Sequence, residues 1–280
     1  MANITTTTAA TFIPDLWSKK VKRAVESNLT MARLVCREFD GEIQQYGDSV
    51  RISDISNLTV GTKAASTDVS FEAVTESNTT INIDKHKYAA FKLEDIVAVQ
   101  SNTNLMGEYT NKVGFGLAKQ IDTDLLALYV NLSQSVGADN TDITEATFLS
   151  AIELLDVADA PETDRSGVFH ANQKSAFLDV DQFVRYDATG IGGQQNPIIR
   201  GQFGELYGVS LYFSTNVTTT GSPASDHNLL FHKEAFALAM QRDVRVQSQY
   251  SLPALAWEVV GDVLYGVTEY RDTFGVVVKT

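Results

Sequence analysis

The chain has 280 residues, of which 44% are hydrophobic and 20% are charged, and its formal net charge is −13. This composition excludes an intrinsically disordered chain and allows one large domain or two modest ones. The acidic balance argues against tight nucleic-acid binding, because attraction to phosphates needs a surplus of Lys and Arg.

The N-terminal segment begins with a polar Thr/Ala stretch, residues 1–11, whose lack of periodicity indicates a flexible or extended arm. A helix is predicted to start near Pro14 and Asp15, since proline suits the first turn and an acidic side chain its positive end. The apolar spacing of this helix runs to about Arg37. The helix carries a basic cluster formed by Lys19, Lys20, Lys22 and Arg23. Two interpretations stay open for this cluster: a solvated helix face, or an inward face that meets a polyanion.

Two alternating segments indicate strands on either side of a long polar stretch. Residues 49–53, SVRIS, and residues 79–84, TTINID, alternate polar and apolar side chains, and the second strand is expected to continue to Lys92. The stretch between them, residues 57–80, is rich in Thr, Ser, Ala and Asn. We therefore predict an extended β-hairpin. It has too few apolar side chains to build its own core, so we expect it to pack against another surface.

The strongest helical signal covers residues 93–133, where apolar residues recur every three or four positions between Met106 and Tyr129. A helix of roughly 25 to 30 residues would span about 40 Å there. An α+β region follows, with helices predicted at 144–158 and 172–184 and strands at 167–170 and 229–231. Residues 190–196 are predicted to form a loop. Residues 201–217 combine turn glycines with a strand at 209–213, and β-rich sequence continues from residue 236 to residue 280.

No residue pattern points to catalysis or to a bound metal. The four histidines, His86, His170, His227 and His232, match no zinc-binding pattern. GIGG at residues 190–193 differs from a phosphate-binding loop, and the sequence has no GxSxG elbow and no Walker lysine. Asp122 and Asp124 lie two apart on a predicted helix and so face different ways, which leaves no acid/base pair. We expect no cofactor and no enzyme activity.

Cys36 is the only cysteine, so an intramolecular disulfide is excluded and a buried structural thiol is expected. The N-terminus lacks the basic start and apolar stretch of a secretory signal. No segment approaches the ~18 consecutive apolar residues of a membrane-spanning helix. We therefore expect a protein of the cytoplasm, or of a particle assembled in a cytoplasm.

Four segments, taken in order, carry a resemblance to a known family. EIQQYGDSVRI at residues 42–52 is similar to the glycine turn and strand that lead into the family's hairpin, and residues 105–129 are similar to its spine helix. GQFGELYGVSL at residues 201–211 is similar to its recurring run of glycines and hydrophobic residues. DVLYGV at residues 262–267, with the valines at 276–278, is similar to its closing strands. Over nearly its whole length the chain thus resembles the major capsid protein of tailed bacteriophages, which has the α+β Hong Kong 97-like shell fold.

The resemblance implies a division of the chain into four parts. Residues 1–41 would be an N-terminal arm, and residues 42–93 an extended hairpin that reaches over a neighbouring subunit. Residues 94–139 and 236–270 would form a peripheral domain built on the spine helix. Residues 140–235 and 271–280 would form an axial domain near the centre of hexamers and pentamers.

The resemblance also implies partners and contact residues. The expected partners are other copies of the chain, a separate scaffolding protein, a portal and a decoration protein, with packaged double-stranded DNA contacted non-specifically at most and no membrane. Lys63, Tyr207 and Tyr212 are expected at subunit contacts, and the basic cluster at residues 19–23 on the inner surface. Some family members join a hairpin lysine to a late asparagine. Here no asparagine follows Asn228, so Lys63 is expected to make a surface contact only.

Two other functions stay open beside a phage head assembled in the host cytoplasm. An encapsulin-like compartment has the same fold and encloses cargo enzymes in place of a genome. A cytosolic hydrolase or transferase with an unrecognised site is the alternative from a different class. Neither is favoured by any motif in the sequence.

Overall fold

The computed structural model describes residues 30–41, 49–55, 58–63, 65, 66, 68, 69, 71, 76–94, 105–180, 204–221 and 224–280. The basic cluster at residues 19–23 and the predicted loop at 190–196 lie outside these residues. The described chain begins with a short helix, α1 (Met31–Leu34), and a 3-10 turn at Glu38–Gly41. The prediction of a helix as far as Arg37 is wrong beyond Leu34.

The N-terminal segment leaves the helical conformation because a neighbouring strand offers it backbone hydrogen bonds. The amide of Cys36 donates to the carbonyl of Phe236 (3.0 Å), and the amide of Leu238 donates to the carbonyl of Cys36 (2.9 Å). Extended backbone thus pairs with the edge of a sheet over one residue. Cys36 itself is buried and free, which confirms the expectation of a structural thiol.

The predicted extended hairpin is present as a separate two-stranded sheet. Strand β1 (Ser49–Ile55) pairs antiparallel with β2 (Glu76–Asn82), from Ser49 opposite Asn82 to Ile55 opposite Glu76. The expectation that the second strand continues to Lys92 is wrong. Strand β2 ends at Asn82, and the next strand, β3 (Lys85–Glu94), belongs to a different sheet.

The second sheet contains three strands in the order β10–β11–β3. Strand β10 (Phe236–Ser251) and strand β11 (Ala256–Glu269) form a long hairpin, with irregular pairing on β10 between Met240 and Arg245. The long helix α2 (Leu105–Leu126) packs on one face of this sheet and continues into a 3-10 turn at Ala127–Asn131. Its 22 residues span about 33 Å. The spine helix is therefore confirmed over residues 105–126.

The third sheet has the strand order β4–β12–β9–β5–β7–β6, with β8 paired to β9. Its strands are β4 (Gln134–Gly137), β5 (Arg165–His170), β6 (Glu205–Leu206), β7 (Val209–Ser214), β8 (Thr219–Thr220), β9 (Ser225–His232) and β12 (Gly275–Lys279). The predicted strands at 167–170, 209–213 and 229–231 are confirmed. Parallel pairs β4–β12 and β5–β7 stand among antiparallel ones, as in an α+β fold.

Two helices cover this sheet and close its core with aromatic side chains. Helix α3 (Glu145–Val157) begins at Thr144, whose side chain accepts a hydrogen bond from the amide of Thr147, and helix α4 (Gln173–Asp179) follows β5. Phe177 of α4 packs edge-on against Phe169 of β5, with ring centroids 4.9 Å apart. The helix predicted at 144–158 is confirmed, and the one at 172–184 as far as Asp179.

The division of the chain into arm, hairpin, peripheral and axial domains stays a prediction. Among the helices of the described residues, none combines the length and the apolar character that crossing a membrane requires.

Candidate intersubunit surfaces

The far part of the β1–β2 hairpin carries apolar side chains that the described residues leave exposed. Val60 and Phe71 are both 96% exposed, and Leu58 and Val69 are also exposed. Lys63 lies in the same stretch and is exposed. Four large apolar side chains exposed within one segment, residues 58–71, favour a contact surface, because burying them against another molecule would be energetically favourable.

The base of the same hairpin is anchored on the chain itself. Ile81 of β2 is fully buried, and it packs with Val50 of β1 against Ala237 and Ala239 of β10. The hairpin is therefore fixed at one end and uncovered at the other. The expectation from the sequence that the hairpin packs against another surface is therefore met at its base, where β10 provides that surface.

The turn of the β10–β11 hairpin is a second apolar tip. Leu252 is 74% exposed and Leu255 is 63% exposed, and Trp257 beside them is partly exposed. Leu255 also has a positive φ of 44°, a conformation that costs energy for a branched side chain. Sequence reasoning missed this tip, since LPAL at 252–255 gives no signal beyond a turn between apolar segments.

Tyr207 stands at the turn between β6 and β7. Tyr207 and Gly208 have φ values of 49° and 76°, as a two-residue type I′ turn requires at both central positions. The ring is about half exposed, and its hydroxyl donates to Glu145 Oε1 at 3.2 Å. Partial burial, the hydrogen bond to Glu145 and the charge of that carboxylate raise the pKa of Tyr207. Tyr207 thus presents a fixed aromatic ring at the surface of the third sheet.

Tyr212 of β7 has different surroundings. Its ring is partly buried, and the guanidinium carbon of Arg33 lies 5.2 Å from the ring centroid. The pair lines an open groove together with Asp164 and Lys233. The structure does not bring Lys63, Tyr207 and Tyr212 together in one site, and their roles at subunit contacts stay predictions.

Asp122 of α2 forms a buried junction between three parts of the chain. Its Oδ1 accepts hydrogen bonds from the amides of Thr30 (3.0 Å) and Met31 (2.7 Å), and its Oδ2 accepts one from Asn216 Nδ2 (3.1 Å). The side chain is 1% exposed, and all three partners are buried. The N-terminal segment, the spine helix and the connection between β7 and β8 are thereby held together. Sequence reasoning considered Asp122 only as one half of an acid/base pair, because its hydrogen-bond partners lie 92, 91 and 94 residues away along the chain.

Asp124, two residues on, makes contacts of its own. Its Oδ2 accepts a hydrogen bond from the buried Tyr265 hydroxyl at 2.8 Å, and Lys85 Nζ lies 3.6 Å away. Burial, together with Asp124, raises the pKa of Tyr265. Asp122 and Asp124 therefore bind separate partners, and the two carboxylates do not form an acid/base pair.

The face of the three-stranded sheet opposite α2 carries an ion cluster around Asp262. Arg245 donates to both carboxylate oxygens, at 2.7 and 3.2 Å, and His86 Nε2 lies 3.4 Å from one of them. The hydrogen bonds from Arg245 lower the pKa of Asp262, against the opposing effect of burial. The arrangement is that of a structural ion pair on paired strands.

The histidines are dispersed. His227 stacks on Tyr129 with ring centroids 4.3 Å apart, whereas His232 meets Phe274 edge-on. They lie five residues apart on β9, so their side chains point to opposite faces of the sheet. Within the described part of the chain, no group of three or more His, Cys, Asp or Glu side chains is arranged to hold a metal ion.

Chains of known structure share this fold. No protein-family model matches the sequence, and no curated protein gives a significant match. A chain of Mycobacterium phage Che8 superposes with a TM-score of 0.83 and 25% identity, covering 95% of this chain and 97% of that one. A chain from the capsid of the cyanophage P-SCSP1u gives a TM-score of 0.79 and 15% identity over 99% and 96% of the two chains. A chain from the capsid of a native GTA particle gives 0.68 and 11% over 100% and 99%.

These similarities extend over nearly the whole length of both chains, so they concern the complete arrangement of elements and not a shared fragment. The α+β shell fold inferred from the sequence is confirmed, and so is the resemblance to tailed-phage capsid proteins.

Proposed function

We propose that this chain, which has the fold of tailed-phage capsid proteins, is a major capsid protein. Copies would assemble as hexamers and pentamers into the icosahedral head that encloses a double-stranded DNA genome. The chain is then a component of the virion, assembled in the host cytoplasm.

The observation that carries this proposal is the whole-chain match to capsid structures. The proposal is also supported by the exposed apolar side chains at the ends of two hairpins, such as Phe71 and Leu252, which no part of the described chain covers. Fully burying a side chain such as Phe71 contributes about 1.5–3 kcal/mol. A subunit in a closed shell has neighbours on every edge, so several such contacts add for each copy.

A structural role agrees with the arrangement of the polar groups. The capsid-like fold suggests a non-enzymatic subunit. The buried carboxylate of Asp122 and the ion pair of Asp262 both join segments of the chain to each other. Their hydrogen-bonding capacity is used in holding the fold.

The acidic charge supports loose contact with DNA, because a net charge of −13 disfavours tight binding of a polyanion. The basic residues Lys19, Lys20, Lys22 and Arg23 would then neutralise phosphates locally at the inner surface. A separate scaffolding protein, a portal and a decoration protein are the further partners of this proposal. Lys63, Tyr207 and Tyr212 would lie at contacts between copies.

The test is expression of the chain with and without its candidate scaffolding protein, followed by gradient sedimentation and nuclease treatment. Megadalton particles that hold nuclease-protected DNA after packaging support a phage head. Particles that enclose a co-purifying enzyme instead of DNA identify an encapsulin-like compartment. A stable 30.6 kDa monomer that turns over a substrate would overturn the proposal.

A further inference from the structure

A glycine in strand β11 lies where the base of the β1–β2 hairpin meets the three-stranded sheet. Gly266 is paired with Ala239 of β10, and Ala237 lies on the same face two residues away. The three residues offer a surface almost without side chains. Val50 and Ile81 of the hairpin base pack onto this surface beside Ala237 and Ala239.

The hairpin approaches Gly266 closely enough to exclude any side chain there. A Cβ at position 266 would overlap the carbonyl oxygen of Asn82, and it would lie 2.9 Å from the carbonyl carbon and 3.3 Å from Ile81 Cγ2. Gly266 does not have a positive φ, so its backbone conformation does not demand glycine. The contact with β2 therefore explains the residue, as close backbone approach commonly does for a glycine inside a strand.

The neighbouring glycine of the same strand serves a different contact. Gly261 is five residues from Gly266, which places it on the opposite face of β11. A Cβ at Gly261 would collide with Val113 and lie 3.2 Å from Leu117 Cδ1, both on α2. One face of β11 thus admits the spine helix and the other admits the hairpin.

We propose that Gly266 sets the angle at which the β1–β2 hairpin leaves the body, and that this angle decides whether copies close into a shell. The second half of the statement rests on the proposed capsid function. A side chain at position 266 would move the Asn82 carbonyl by about 1 Å to restore normal contact. Strand β1 is about 23 Å long, so a tilt at its base displaces the far end by several ångström. Val60 and Phe71 lie beyond that end, where a displaced apolar side chain misses its partner surface.

The test is the substitution Gly266→Ala, measured first on the unassembled chain. Spin labels at Lys63→Cys on the hairpin and Val157→Cys on α3 report the hairpin position, since Cys36 is buried and stays unlabelled. The mean distance between the labels is expected to shift by several ångström. Alanine is at least as favourable as glycine in a strand, so intrinsic preference cannot produce this shift.

Two matched glycine variants are the controls. Gly116→Ala fills open space on α2, where nothing lies within 4 Å, and should leave the label distance and the assembly unchanged. Gly261→Ala should lower the thermal midpoint by disturbing the contact with α2, again without a shift in label distance.

Assembly is measured next, as the yield and diameter of closed particles. Gly266→Ala is expected to reduce closed particles of wild-type diameter at least tenfold, with broken or aberrant shells in their place. If Gly266→Ala fails to fold, Ile81→Val is used, which trims the hairpin base and should broaden the label distance and lower particle yield.

The outcomes separate the two proposals. An unchanged label distance, or wild-type particles from Gly266→Ala in normal yield, overturns the role of Gly266. A wild-type chain that forms no particles under any condition overturns the capsid function, and the label distance still tests the orientation of the hairpin.

Discussion

Replacing Asp122 with alanine should separate the N-terminal segment from the body of the protein. The change removes the acceptor of three buried hydrogen bonds, from Thr30, Met31 and Asn216. Hydrogen bonds to a charged group contribute about 1.5–3 kcal/mol each, and unpaired buried donors add a further cost. Relief from burying the carboxylate offsets part of this, so the net loss should be about 3–5 kcal/mol.

A loss of this size is a large share of the stability of a typical protein, which is about 5–15 kcal/mol. For a chain of this length it corresponds to a fall of about 10 °C in the thermal midpoint. Asp122→Asn should cost only about 1 kcal/mol. Both amides bind Oδ1, which asparagine retains, and Asn216 can turn its own amide oxygen toward the new donor.

The assay is urea unfolding of the unassembled chain, combined with hydrogen exchange of residues 30–41. Exchange in that segment should rise far more in Asp122→Ala than elsewhere in the protein. Glu153→Ala removes an exposed carboxylate from α3 and serves as the matched control. If Asp122→Ala and Glu153→Ala unfold at the same urea concentration, the junction does not hold the segment and the reasoning fails.

Three further predictions concern charge, backbone and contact surface. Because Arg245 lowers the pKa of Asp262 in the folded protein, the pair stabilises the fold above the unfolded pKa of about 4 and loses this effect as pH falls through the lower folded value. The stability difference between wild type and Asp262→Asn should therefore shrink as the pH falls below about 4, and a difference that persists at lower pH would contradict the ion pair. Gly116→Ala should raise the free energy of unfolding by about 0.5–1 kcal/mol, because alanine stabilises a helix more than glycine does and the space around position 116 is open. A lowered thermal midpoint would instead show that the added methyl group meets a steric clash. Phe71→Ser should raise the protein concentration needed for particle assembly about 30-fold, because a loss of about 2 kcal/mol per subunit corresponds to that factor at tenfold per 1.4 kcal/mol. The control substitution Val157→Ser, at another exposed residue, should not change this concentration. Equal effects of the two substitutions would show that Phe71 does not lie at the contact.

Local patterns in the sequence predicted the elements whose packing follows their own periodicity. The alternation in SVRIS identified β1, and the three- to four-residue spacing from Met106 onward identified the spine helix. The turn glycines of the segment 201–217, among them Gly208, and the alternation at 209–213 predicted a tight turn followed by strand β7. In these elements one face is buried on the chain's own core, so the pattern and the structure agree.

Non-local hydrogen bonds explain the expectations that were wrong. The helix predicted to Arg37 ends at Leu34 because β10, some 200 residues later, takes Cys36 as a backbone partner. The second hairpin strand ends at Asn82 because β3 pairs with β11 and not with β1. Such partners cannot be identified from a local pattern.

The candidate surfaces divide in the same way. The hairpin was predicted to need another surface to pack against because it has too few apolar residues for a core, and the family resemblance placed Lys63 at a surface contact within it, where the structure shows it exposed. The junction at Asp122 and the close approach at Gly266 were not predicted, since each depends on segments far apart in sequence. A buried aspartate and a tightly packed glycine have no local signature.

The most direct test of the capsid function is an electron cryomicroscopy reconstruction of particles assembled from this chain. The expected result is a closed icosahedral shell of hexamers and pentamers, in which Val60 and Phe71 of one copy are buried against the next. A reconstruction in which the hairpin ends stay in solvent, or a chain that yields no closed particle with any scaffold, would contradict it.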